Sequence, residues 1–154
     1  MQQMWQIRQM MTLAMLAVSA YTDIRERNIY IMPLLIPCTG AILITVISFF
    51  GIQGSEGYGM LLDYIVFPAA IGCFLITAIK SVGGYMGIGD GYLMAAVGMM
   101  IGVRYGLYVI ICGLVAASVY SVTVLIRKRG GRKPEIPFAP FVMTGFIILL
   151  INEI

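Results

Sequence analysis

Two aspartates stand where apolar segments meet their polar connections, and they are the side chains in this sequence best suited to chemistry. Asp90 lies in Gly83-Gly84-Tyr85-Met86-Gly87-Ile88-Gly89-Asp90-Gly91-Tyr92, one acid among five glycines at the mouth of an apolar segment. Asp23 lies in Tyr21-Thr22-Asp23-Ile24-Arg25-Glu26-Arg27-Asn28-Ile29, directly after another such segment. A carboxylate beside hydrocarbon is costly unless it is paired or used. Peptide hydrolysis by two carboxylates needs one ionised, to draw a proton from water, and one protonated, to hydrogen-bond the scissile carbonyl. Two neighbouring carboxylates divide the roles unaided, because the first ionisation opposes the second. Gly87 and Gly89 suit such a site, since they let an extended substrate lie close to the backbone.

Each acid also has a plain structural reading. Asp23 could pair with Arg25 or Arg27 in a wet loop, and Asp90 could be a helix N-cap worth ~1 kcal/mol. The other acids, Glu26, Glu56, Asp63, Glu135 and Glu153, fall at interfaces or in loops. Ser81 follows Lys80, but adjacent residues on a helix do not face each other.

The composition narrows the chemistry further. There is no histidine, which removes a His-Glu-x-x-His zinc site, a Ser-His dyad and any histidine proton relay. Cys38, Cys73 and Cys112 fall in separate apolar runs, and we expect them to be small packing residues without disulfide or metal roles. Gly-Ile-Gly-Asp-Gly follows no strand and misplaces its third glycine, so it is not a nucleotide-binding fingerprint. No metal, cofactor or nucleic-acid partner is expected.

The elements that must position the two aspartates are membrane helices. The chain has 154 residues, 60% apolar and 11% charged, with mean hydropathy +0.96; soluble domains average about 45 to 50% and about 25%. About 20 apolar residues cross about 30 Å of hydrocarbon. On that measure the candidate spans are 4–22, 29–50, 60–79, 90–103, 107–126 and 140–151, the fourth and sixth being short. The first lacks the basic start and cleavage pattern of a signal peptide and reads as a retained anchor. It includes Arg8, expected to snorkel outward, and Trp5, expected at the interface. Gly98, Gly102 and Gly106 form a small-residue series expected along one side of the fourth helix, allowing close helix approach.

Six spans with the amino terminus outside put Arg25, Arg27, Lys80, Arg127, Lys128, Arg129, Arg132 and Lys133 inside, eight of the ten basic residues, as the positive-inside rule requires. The fold expected is therefore an all-α, six-helix transmembrane bundle over residues 1–154, a single domain, with its catalytic face cytoplasmic. Asp23 then ends the first span, and Asp90 begins the fourth, on one side of the membrane. The basic run from Arg127 to Lys133 would bind anionic headgroups of the lipid bilayer.

With these residues in place, the chain resembles the type IV prepilin peptidases, intramembrane aspartic peptidases of the Gly-x-Gly-Asp class. Three stretches carry the resemblance: Asp23-Ile24-Arg25-Glu26-Arg27-Asn28-Ile29; Gly87-Ile88-Gly89-Asp90 with Leu93 behind it; and Ile136-Pro137-Phe138-Ala139-Pro140-Phe141, similar to the start of the family's last helix. The resemblance implies that Asp23 and Asp90 are the catalytic pair, with Gly87, Gly89, Arg25, Arg27, Pro137 and Pro140 binding substrate or shaping the site. The implied substrate is a prepilin or pseudopilin, which loses a basic leader at the cytoplasmic face of the cell membrane. The chain has Ile29-Tyr30-Ile31 where the family usually continues Ile-Pro-Asn, and Tyr92 where a lysine usually stands; both bear on substrate contacts. It lacks the cysteine-bearing zinc insert of the bifunctional members, which implies peptidase without methyltransferase activity, as in the small enzymes of Flp or tight-adherence pili. The resemblance to presenilin-type peptidases is weaker, because no Pro-Ala-Leu motif follows.

Two other classes compete. A small cation or proton carrier could use the same two acids, but would want them near the midplane. A noncatalytic assembly subunit would tolerate Asp23→Asn and Asp90→Asn.

Overall fold

The computed structural model describes residues 2–26, 29–51, 55–81, 87–127 and 137–153. They form α1 (Gln2–Glu26), α2 (Met32–Gly51), α3 (Ser55–Leu61), a π-helical stretch (Leu62–Val66), α4 (Phe67–Ser81), α5 (Ile88–Ile101), α6 (Val103–Arg127) and α7 (Ala139–Glu153). Because α3, the π stretch and α4 are continuous, the described residues make six rods and no strand, matching the six expected spans. Helices satisfy their own backbone groups, which lipid requires. Three stretches, Met32–Gly51, Glu56–Ala78 and Val103–Ile126, are long and apolar enough to cross a bilayer. Exposed Ile36, Leu43, Phe50, Phe74, Val119 and Leu125 give these rods an apolar exterior. This is a helical membrane protein.

The rod at the centre is α5, which packs against α1, α2, α4 and α6. Its Leu93, Met94, Ala96, Val97, Met100 and Ile101 are all buried, so it is apolar on every side, as a surrounded helix must be. At 1.5 Å per residue, α5 and α7 are each only about 21 to 23 Å long. Their end groups therefore need protein partners where water is scarce.

Helix α1 supplies partners for both. Its buried residues, Arg8, Thr12, Met15, Leu16, Ser19, Ala20 and Asp23, recur at three- and four-residue intervals and form one stripe. That stripe is polar at both ends.

Three expectations are corrected. Arg8 does not snorkel outward; it is 3% exposed and turned into the bundle. Its Nη1 donates to the Met100 carbonyl at 3.2 Å and the Met99 carbonyl at 3.5 Å, and its Nη2 to Thr45 Oγ1 at 2.5 Å and the Ala41 carbonyl at 3.3 Å. The carbonyls left open in the last turn of α5 draw the guanidinium inward, and the negative end of the helix favours a cation there. Nor do Gly98, Gly102 and Gly106 share one helix. Gly102 has φ +85° and separates α5 from α6, so Gly98 and Gly106 meet across the hairpin. A methyl added at Gly106 would lie 3.0 Å from the Gly98 Cα. The cysteines are free, but only Cys38 is a core packing residue, since Cys73 is exposed and Cys112 half-buried.

Candidate active site

The site is built where the last turn of α1 meets the first turns of α5 and α7. Asp23 is 7% exposed, and its Oδ2 accepts a 2.8 Å hydrogen bond from the Ala139 backbone N–H. The first turn of α7 explains why that donor was free. Phe141 and Val142 donate to the Phe138 carbonyl, Pro140 has no N–H, and Phe138 offers no side-chain acceptor. The Ala139 N–H remains, and Asp23 caps it from another helix. A carboxylate at the positive end of α7 is also favoured electrostatically.

Asp90 is half-buried in the first turn of α5. The N-cap is Gly87, with extended backbone, so the N-cap reading of Asp90 is corrected: it is the third helical residue. Its carboxylate turns back toward the Gly87 backbone, the side on which the acidic member of a capping box lies. A methyl at Gly87 would lie 3.4 Å from Asp90 Oδ2. At Gly89, an added Cβ would come within 2.9 Å of Ile29 Cβ. The segment just beyond α1 therefore rests directly on the start of α5, an approach only glycine permits at that position.

Asp23 and Asp90 lie within range of each other's charge. Among the described residues no basic side chain forms an ion pair with either. Arg25 turns away, its Nη1 donating to the Tyr21 hydroxyl at 2.7 Å, so the alternative reading in which it pairs with Asp23 gives way to a contact within α1. Arg27 and the run 128–133 lie outside the described residues. Pro137 and Pro140 are half-buried beside the Asp23 contact, Pro140 in the first turn of a regular helix. Ser19, one turn before Asp23 on the same stripe, is buried, and its hydroxyl has no partner among the described residues.

Asp63 is far from this cluster. It is half-buried in the π stretch, and its Oδ1 accepts the Val103 N–H at 3.2 Å, capping α6 from a neighbouring rod. Sequence reasoning placed Asp63 at an interface and missed this contact, as it missed the Ala139 cap. The signal for the Ala139 cap was present: the start of α7 carries a proline and no Ser, Thr, Asn or Asp, so its open donor had to be capped from elsewhere.

Two carboxylates within range of each other's charge, one pinned by a helix N-terminus and one in the first turn of its own helix, have the chemistry to divide acid and base roles. No group of three or more His, Cys, Asp or Glu able to hold a metal occurs among the described residues. The sequence profile of the type IV leader peptidase family matches residues 10–122, a stretch containing both aspartates. No curated protein and no solved structure was found to match the chain.

Proposed function

The chain belongs to the type IV leader peptidase family, and from that premise we propose that it is an intramembrane aspartic endopeptidase with Asp23 and Asp90 as its catalytic pair. The observation that carries this reading is the convergence of the last turn of α1 with the first turn of α5, which leaves two carboxylates in mutual range without a basic partner among the described residues. Both acids belong to terminal turns rather than to the middle of a rod, the depth a peptidase needs and a carrier does not.

In this mechanism Asp23 is the ionised member. Its Oδ2 is committed to the Ala139 N–H, and Oδ1 takes a proton from the attacking water. Asp90, protonated, donates to the scissile carbonyl as the water oxygen bonds to its carbon. Collapse of the tetrahedral intermediate breaks the C–N bond, and the amine leaves with a proton from the carboxyl pair. Gly87, exposed at the start of α5, leaves room there for the extended scissile segment, whereas the space at Gly89 is filled by Ile29, so Gly89 shapes the site by seating that residue. The substrate class is a prepilin or pseudopilin, of the Flp or tight-adherence kind, cut at the cytoplasmic face between its basic leader and its apolar helix. No methylation step follows.

Co-expression with a candidate prepilin, followed by gel shift, tests the assignment. Wild type should remove the leader, Asp23→Asn and Asp90→Asn should not, and Asp63→Asn should. Cleavage persisting in either of the first two would end the dyad assignment.

A further inference from the structure

A cavity of about 490 Å³ lies toward the other end of α1, bordered by Trp5 and Arg8 of α1, Ile47, Ser48 and Gly51 of α2, and Tyr64 of the π stretch. That volume suits a ligand, since small-molecule pockets span about 300 to 1,000 Å³. Its walls are mostly apolar, and its charge is Arg8. Every hydrogen bond that fixes the guanidinium goes to a neutral acceptor. The Tyr64 ring covers it, centroid 4.3 Å from Cζ. No carboxylate among the described residues lies within ion-pair distance. A full charge held among neutral dipoles in an apolar wall still lacks a counter-charge.

The mouth of the cavity indicates the occupant. Ile47 is 67% exposed on an apolar rod, whereas Gly51 is the last residue of α2. The opening therefore spans the step from hydrocarbon to headgroup.

We propose that this cavity binds an anionic phospholipid, with its phosphate diester against Arg8 and one acyl chain along Ile47. Inorganic phosphate would share the headgroup chemistry but leave the apolar wall bare. The site is independent of the peptidase reading, because none of its residues belongs to the carboxylate cluster.

The only tryptophan of the chain, Trp5, borders the cavity and reports its filling. The full-length protein, in phosphatidylcholine micelles, is titrated with phosphatidylglycerol or phosphatidylcholine carrying brominated acyl chains, which quench nearby tryptophan. Brominated phosphatidylglycerol should quench at a concentration about tenfold lower, the effect of one charge-assisted contact. Arg8→Gln should abolish that preference. Gly51→Leu should abolish it too without touching the Arg8 bonds, since a Cβ at 51 meets nothing within 4 Å. Equal quenching by the two lipids would overturn the proposal. A preference that survives in Gly51→Leu would overturn it as well, assigning the effect to the basic run 127–133. Relief of quenching by millimolar inorganic phosphate would overturn the lipid as the ligand in favour of the free anion.

Discussion

The two ends of α1 solve the same problem with opposite charges. At one end Arg8 closes the carboxyl end of α5, and at the other Asp23 closes the amino end of α7. Arg8 is held by four bonds to neutral groups beneath the Tyr64 ring, and among the described residues no carboxylate lies within ion-pair distance of it. Asp23 commits one oxygen to its cap and faces another carboxylate, Asp90. A buried charge at a helix end is thus a structural device by default. It becomes a candidate for chemistry when capping leaves it a free oxygen and a like neighbour.

The widest separation between the two ends should appear in cleavage. Asp23→Asn and Asp90→Asn should each lower leader removal by at least about 10³-fold, measured by gel shift at matched membrane levels. An amide at 23 keeps an oxygen for the Ala139 N–H, so Asp23→Asn should remain folded. Asp23→Ala should lose activity and also about 1 to 2 kcal/mol of stability, seen as a lower Tm; equal Tm values for the two variants would break the dual role of Asp23. Next in size, Arg8→Leu should cost about 1 to 3 kcal/mol by stranding the Met100 carbonyl, while Thr45 keeps its own bond to the Ala41 carbonyl, read as a fall in Tm in detergent. Gly89→Ala should reduce cleavage about tenfold by pushing Ile29 off the start of α5, and adding Ile29→Gly, which removes the Cβ that the new methyl meets, should recover most of it. Smallest of all, Asp63→Asn should leave cleavage unchanged and cost under about 1 kcal/mol, because an amide oxygen can still cap Val103.

How much of this was legible in the sequence differs between the same two ends. Apolar length alone gave six rods at the right places, and alternation of spans put Asp23 and Asp90 at one side. The inward turn of Arg8 was not legible, because a long cation near a helix end ordinarily snorkels, and its true partners are backbone carbonyls, which have no residue type to recognise. The break at Gly102 was hidden for a related reason: glycines four apart serve equally in close helix packing and in a turn with positive φ. Only the fold shows that Gly98 and Gly106 do the first and Gly102 the second.

The capping of α5 and α7 by α1 also bears on how the protein is made. Chains enter the bilayer from the amino terminus onward, so the segment bearing both charges is in place before either short helix arrives. Each latecomer finds the group that completes it already waiting. A circularly permuted chain that made α1 last should therefore leave α5 and α7 exposed to quality-control proteolysis during synthesis, even though its finished bundle would hold every contact described.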